Sequence, residues 1–259
     1  MIIIVSVKEV PGTLQAGGAI FPTTHWSMIA VGGLESTVAA DEAVAELCRD
    51  YWPPIYAFIR RRGFSRDDAQ DLAQGFFAYL IESKAYARAD RQQGKFRTFL
   101  LVVLKRFLSD VYDREHRLKR GGDRQFVFLD KDLAAAETLF QNSAAQSELA
   151  NEDRRFDWDW AEALVGRALK SLRSEYAIGA KTRIFGELQP FLTGGQKLPT
   201  QEEAAARLNV PIETLRSHLS RLRARYRELL RSEIARTVTT EAEVEEELRY
   251  LCQVLIARA

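Results

Sequence analysis

Apolar residues recur along this chain at spacings of three and four, and no stretch alternates apolar and polar positions between turn residues as a strand would. An all-α protein is predicted. Val44, Leu47 and Cys48 mark a helix over 41–51, which Trp52-Pro53-Pro54 should interrupt before a second helix ends at Gly63. Ser65 with Asp68 reads as a capping pair for a third helix. There Ala69, Leu72, Phe76 and Leu80 form one apolar stripe, and Asp67, Asp71 and Gln74 fall off it. A loop over 84–94 leads into a long helix from Lys95 to about Arg120, with Phe96, Phe99, Leu100, Val103, Phe107 and Leu108 inward, ended by Gly121-Gly122. Helices resume near Asp157, with two more over 161–176 and 181–192. The tail, 238–259, repeats Val244, Leu248, Leu251 and Leu255 with acids opposite, which predicts a final amphipathic helix.

The clearest local signals lie between these last elements. Thr200 followed by Glu203 is a capping-box arrangement for a short helix over 202–208 that holds Ala204, Ala205 and Ala206. Asn209 suits a left-handed turn, and Pro211 can only open the next helix because it has no amide hydrogen. In that second helix Ile212, Leu215, Leu219, Leu222, Tyr226 and Leu229 repeat at 3-4-3-4-3 and face a core. Thr214, Arg216, Ser217, His218, Arg221 and Arg225 then lie beside or opposite the stripe. Two helices joined by a tight turn, the second presenting Arg, Ser, Thr and His, fit a DNA major groove.

Charge adds a plan. The 259 residues carry 37 Lys+Arg against 36 Asp+Glu, a net of +1, and 46% are hydrophobic, enough for one or two domains. The charges are segregated. Residues 84–124 hold 12 basic and 5 acidic side chains, residues 130–160 hold 8 acidic against 3 basic, and residues 216–227 hold five arginines and no acid. Two basic modules separated by an acidic linker are predicted, an arrangement that suits a polyanion despite the near-zero total.

Several function classes are excluded on the same evidence. No window approaches the roughly 20 apolar residues of a membrane span, and the opening run lacks the basic segment of a secretory signal, so a cytoplasmic protein is expected. Cys48 and Cys252 are far apart without metal-ligand spacing and are predicted to be buried thiols rather than a disulfide or a zinc site. No Gly-rich phosphate loop or HExxH is present, and His25, His116 and His218 are scattered, so no catalytic residue, metal or cofactor is assigned.

The segment Ala69-Gln70-Asp71-Leu72-Ala73-Gln74-Gly75-Phe76-Phe77 resembles the core-polymerase-binding segment of bacterial sigma factors. Gly94-Lys95-Phe96-Arg97-Thr98-Phe99-Leu100-Leu101, followed by Asp110, resembles their promoter-melting helix, and residues 200–230 resemble the helix-turn-helix of sigma domain four. The order of these segments, with no domain three, is that of the extracytoplasmic-function group. The resemblance implies an extension over 1–20, sigma domain two over 21–122, an acidic linker over 123–156, domain four over 157–236, and a C-terminal acidic helix over 237–259.

By the same resemblance Asp67, Asp71 and Gln74 would meet the β′ clamp helices of core RNA polymerase, with the β flap as a second contact. Arg88, Arg91, Lys95, Arg97, Arg114, Arg117, Lys119 and Arg120 would bind the minus-ten region, with Tyr86, Phe96 and Phe99 the aromatics nearest to a flipped base. Thr214, Arg216, Ser217, His218, Arg221 and Arg225 would bind the minus-thirty-five element. The residues 21–27 and 246–252 resemble a subgroup from bacteria rich in Ser/Thr kinases, which adds an anti-sigma or kinase-linked regulator to promoter DNA and polymerase as implied partners. The sequence departs from the family at Arg106, where Asn is common, and at Pro211, where a capping Ser is usual. A helix-turn-helix regulator that works without polymerase is the alternative.

Overall fold

The computed structural model describes residues 38–83, 96–117, 130–144, 151–177, 180–193, 198–238 and 240–256, and every regular element among them is a helix. In chain order these are α1 (Val38–Arg61), α2 (Arg66–Glu82), α3 (Phe96–Arg117), α4 (Asp130–Ala144), α5 (Glu152–Glu175), α6 (Ala180–Leu188), α7 (Pro190–Thr193), α8 (Gln201–Leu208), α9 (Ile212–Ala235) and α10 (Glu241–Ile256). Two compact units result. One runs to Ala163 and takes in Arg236–Thr239; the other is Leu164–Ala235 with Thr240–Ala259.

The first unit is organised on α1, which continues through Pro53 and Pro54 instead of breaking there. Each proline removes an amide donor, and in exchange the helix buries Tyr51, Trp52 and the run Ile55 to Ile59 on a single continuous element. Tyr51 meets Phe96 of α3 edge-on at 5.4 Å, and Trp52 stacks on Phe77 of α2 at 5.9 Å. Ser65 caps α2 as predicted, accepting from the Asp68 amide at 3.1 Å.

The acidic stretch contains a helix where it is described. Residues 130–144 form α4, which packs on α1 through buried Leu133, Ala136 and Leu139. The buried Tyr56 hydroxyl donates to Glu137, Arg60 pairs with the same carboxylate at 3.3 Å, and the Arg60 guanidinium lies 4.5 Å over the Phe140 ring. Helix α5 starts at Glu152, ahead of the predicted Asp157, with the Asn151 side chain accepting from the Asp153 amide at 2.9 Å. The two units divide inside α5, between Ala163 and Leu164.

In the second unit Leu172, Leu188, Phe191, Ala204, Leu215 and Leu222 belong to one buried cluster built from α5 to α9. The predicted helix over 181–192 is divided at Gln189, because Pro190 has no amide to continue the ladder. Helix α10 packs along α9 through Val244, Leu251 and Leu255. Glu247, which the sequence assigns to the acidic outer face, is also buried. Arg231, near the C-terminal end of α9, pairs with Glu241 and Glu245.

No helix among the described residues is long and apolar enough to cross a membrane, and no group of His, Cys, Asp or Glu among them is placed to hold a metal ion. Cys48 and Cys252 are free thiols, each half-buried rather than fully so, and burial pushes the Cys48 thiol up to about 12.

Candidate nucleic-acid interface

The helix-turn-helix forms from its local signals. Thr200 Oγ1 accepts from the Glu203 amide at 3.1 Å, and the Glu203 carboxylate accepts from the Thr200 amide at 3.0 Å, completing the capping box. Asn209 ends α8 in the left-handed conformation, at φ 56° and ψ 48°. Ala204 and Ala205 are buried against Leu215 and Leu219, where a larger side chain on α8 would push the helices apart.

Along α9 the polar residues divide into two stripes. Arg216, Ser220, Arg223 and Arg227 recur at spacings of four, three and four, and so do Thr214, His218, Arg221 and Arg225, on the other flank of the core-facing row. Arg216 and Arg225, grouped together in the sequence analysis, thus face different surroundings, and Ser217 stands between the flanks.

On the first flank a groove of about 440 Å³ is lined by Gln201, Arg216, Leu219, Ser220, Arg223 and Arg227, among others. Arg216 donates to the Gln201 side chain at 3.3 Å and to Glu213 at 2.8 Å. Arg223 and Arg227 form no ion pair among the described residues, and Arg223 Nε is buried without a hydrogen-bond partner. Three guanidiniums, an amide and a hydroxyl around an apolar floor, with one carboxylate nearby, make a site for a polyanion. Sequence reasoning missed Gln201, Arg223 and Arg227, although the four-three-four spacing that begins at Arg216 was there to find them.

The second flank is close to neutral. Glu175, the last residue of α5, grips Arg225 at 2.6 and 2.8 Å, and Glu228 takes a third donor at 2.8 Å. The hydrogen bond from Arg225 holds the Glu175 carboxyl below its ordinary range, and the two carboxylates raise Arg225 further. Arg221 donates to Ser217 at 2.9 Å. His218 and Thr214 are half-buried.

In the first unit Arg97, expected to touch DNA, is engaged within the protein, and the other expected cations lie outside the described residues or at the end of α3. Arg97 corrects an expectation: its side chain is 6% exposed, pairs with Asp157 at 2.9 Å and lies 4.7 Å over the Trp160 ring, so it faces the interior. Phe96 is buried as core, and Phe99 stacks on it at 6.1 Å. Arg88, Arg91, Lys95, Lys119, Arg120 and Tyr86 lie outside the described residues, and Arg114 and Arg117 belong to the last turns of α3.

Lys105, on the same helix, pairs with Asp153. The first half of α5 supplies carboxylates on two sides, Asp153 and Asp157 to α3, and Glu152 and Asp159 to Arg62 and Arg61 of α1. Asp159 is fully buried, and desolvation lifts its carboxyl to about 7 despite Arg61. On α2, Asp67 and Asp71 are exposed and Gln74 is half-buried, on a stripe away from buried Ala69, Ala73 and Phe76.

Comparison with protein-family models, with curated proteins and with solved structures finds no match to this chain.

Proposed function

We propose that the chain is a transcription initiation factor of the sigma type, which binds core RNA polymerase and directs promoter recognition and melting. The observation that carries the reading is the capped helix-turn-helix with an open arginine groove, a surface for duplex DNA. The ordered motifs described above, polymerase-binding before melting before helix-turn-helix, support the sigma assignment. In this reading Asp67, Asp71 and Gln74 offer polymerase an acidic, amide-bearing face, and Arg216, Arg223 and Arg227 neutralise phosphates around the minus-thirty-five element. The protein contributes position and charge and no bond-breaking chemistry.

A polymerase-independent helix-turn-helix regulator is the second reading, favoured by the inward engagement of Arg97 and the pairing of Lys105 in the first unit. Reconstitution with bacterial core RNA polymerase decides between the two. A sigma factor yields start-site-specific transcripts and permanganate-reactive thymines only in the presence of the chain. A regulator binds its duplex site tightly alone and adds no start site to core polymerase.

A further inference from the structure

Arg225 is exposed and sits on a helix rich in arginine, yet three of its donors are taken by two carboxylates. For a phosphate to recruit it, Glu175 and Glu228 would have to release it, and both would then stand unneutralised beside the incoming backbone. Like charges at that range are repulsive and only partly screened at ordinary salt. On the opposite flank one carboxylate, Glu213, pairs with Arg216, and Arg223 and Arg227 meet none among the described residues.

We infer that Glu175 and Glu228 are specificity-determining residues, which hold Arg225 out of the interface and close its flank of α9 to phosphate. Of the arginines on the two flanks, Arg225 is thereby withdrawn, and the duplex is left to Arg216, Arg223 and Arg227, with Arg221 held only by Ser217. The inference rests on the reading of this helix-turn-helix as a duplex-DNA interface, and it fixes which side of the helix the sugar-phosphate backbone runs along. Glu175 comes from α5, outside the helix-turn-helix itself, so this selection belongs to the unit and not to the motif.

The test is a salt titration of the full chain on a short random-sequence duplex, with thermal melts run in parallel. Arg225→Gln alone bares Glu175 and Glu228, so low-salt affinity is expected to fall slightly while the salt slope, which counts phosphate contacts, does not flatten. Glu175→Gln combined with Glu228→Gln frees one cation, steepening the slope of log affinity against log salt by about 0.9 and raising low-salt affinity several-fold. Adding Arg225→Gln to that pair cancels the extra slope.

A structural role for the carboxylates would lower the melting temperature without this reversible gain. A slope flattened by about 0.9 from Arg225→Gln alone overturns the inference, as does an unchanged slope in the carboxylate double variant. Failure of the unmodified chain to bind any duplex refutes the interface itself, and the inference with it. Binding by the unmodified chain with no response to the carboxylates refutes only the inference.

Discussion

Around the first half of α5, Arg61, Arg62, Arg97 and Lys105 each meet a carboxylate, whereas along α9 Arg223 and Arg227 meet none among the described residues. In the sequence the first half of α5 reads as acidic and this stretch of α9 as basic. The difference lies in what else is packed there. The carboxylates of α5 flank Phe156 and Trp160, both buried, so apolar burial delivers the acids to cations on α1 and α3. Helix α9 buries Leu215, Leu219 and Leu222, and no acid follows them toward the groove side beyond Glu213. A cation held in the first way is committed to the fold, and one left in the second way stays available to a ligand.

The sharpest way to break this contrast is to delete a cation of each kind. Arg61→Ala strands the fully buried Asp159 and should cost about 3 kcal/mol in chemical denaturation at pH 8, the range for breaking a buried pair. The loss shrinks at pH 6, because Asp159 then takes a proton. The sign follows from linkage. The folded-state carboxyl, lifted from 3.8 to about 7, binds its proton more tightly than in the unfolded chain. Its contribution to stability is full below about pH 4 and falls as pH rises through 7, by up to about 1.4 kcal/mol per pH unit. Asp159→Asn should flatten that slope; an unchanged profile would show that Asp159 ionises normally.

Arg223→Ala with Arg227→Ala should move binding and not folding. Duplex affinity is expected to fall about ten-fold or more at moderate salt and the slope to flatten by about 1.8, while stability stays within about 0.5 kcal/mol. A drop in melting temperature comparable to that of Arg61→Ala would make the two regions alike and end the comparison.

What the sequence disclosed follows the same division. Features set by neighbours in the chain were legible: the Thr200–Glu203 box, the left-handed Asn209, the helix opening after Pro211 and the Ser65 cap on α2. Each depends on a hydrogen bond or a dihedral within a few residues. Features set by distant partners were not. Pro53 and Pro54 predict a break, and the apolar surface buried along α1 overrides them. The acids of 130–160 predict a linker, and their paired cations lie far back in the sequence, at Arg60, Arg61, Arg62, Arg97 and Lys105. In the groove the needed spacing was present, but an outward face was read as one surface where the structure has two.

Thr200→Ala tests the locally specified part by itself. It removes a side-chain acceptor from the first turn of α8, and the Glu203 carboxylate loses its reciprocal arrangement, for a cost of about 1 kcal/mol. Because Gln201 follows directly and bonds Arg216, duplex affinity should fall slightly alongside stability.

Lys105→Ala is the smallest change and the most discriminating for the first unit. Lys105 and Asp153 are 34% and 55% exposed, so their pair is screened by water and should contribute about 0.2–1 kcal/mol. That small value separates Lys105 from Arg97, which is buried on the same helix and whose loss should cost several-fold more. If Lys105→Ala leaves melting almost unchanged but weakens single-strand binding in a polymerase complex, its pairing with Asp153 is a resting arrangement from which nucleic acid can draw it. If both quantities stay unchanged, α3 contributes through this residue neither to the fold nor to a ligand. The pairing of Lys105 with Asp153 would then be incidental, and only Arg97, buried on the same helix, would tie α3 to internal assembly.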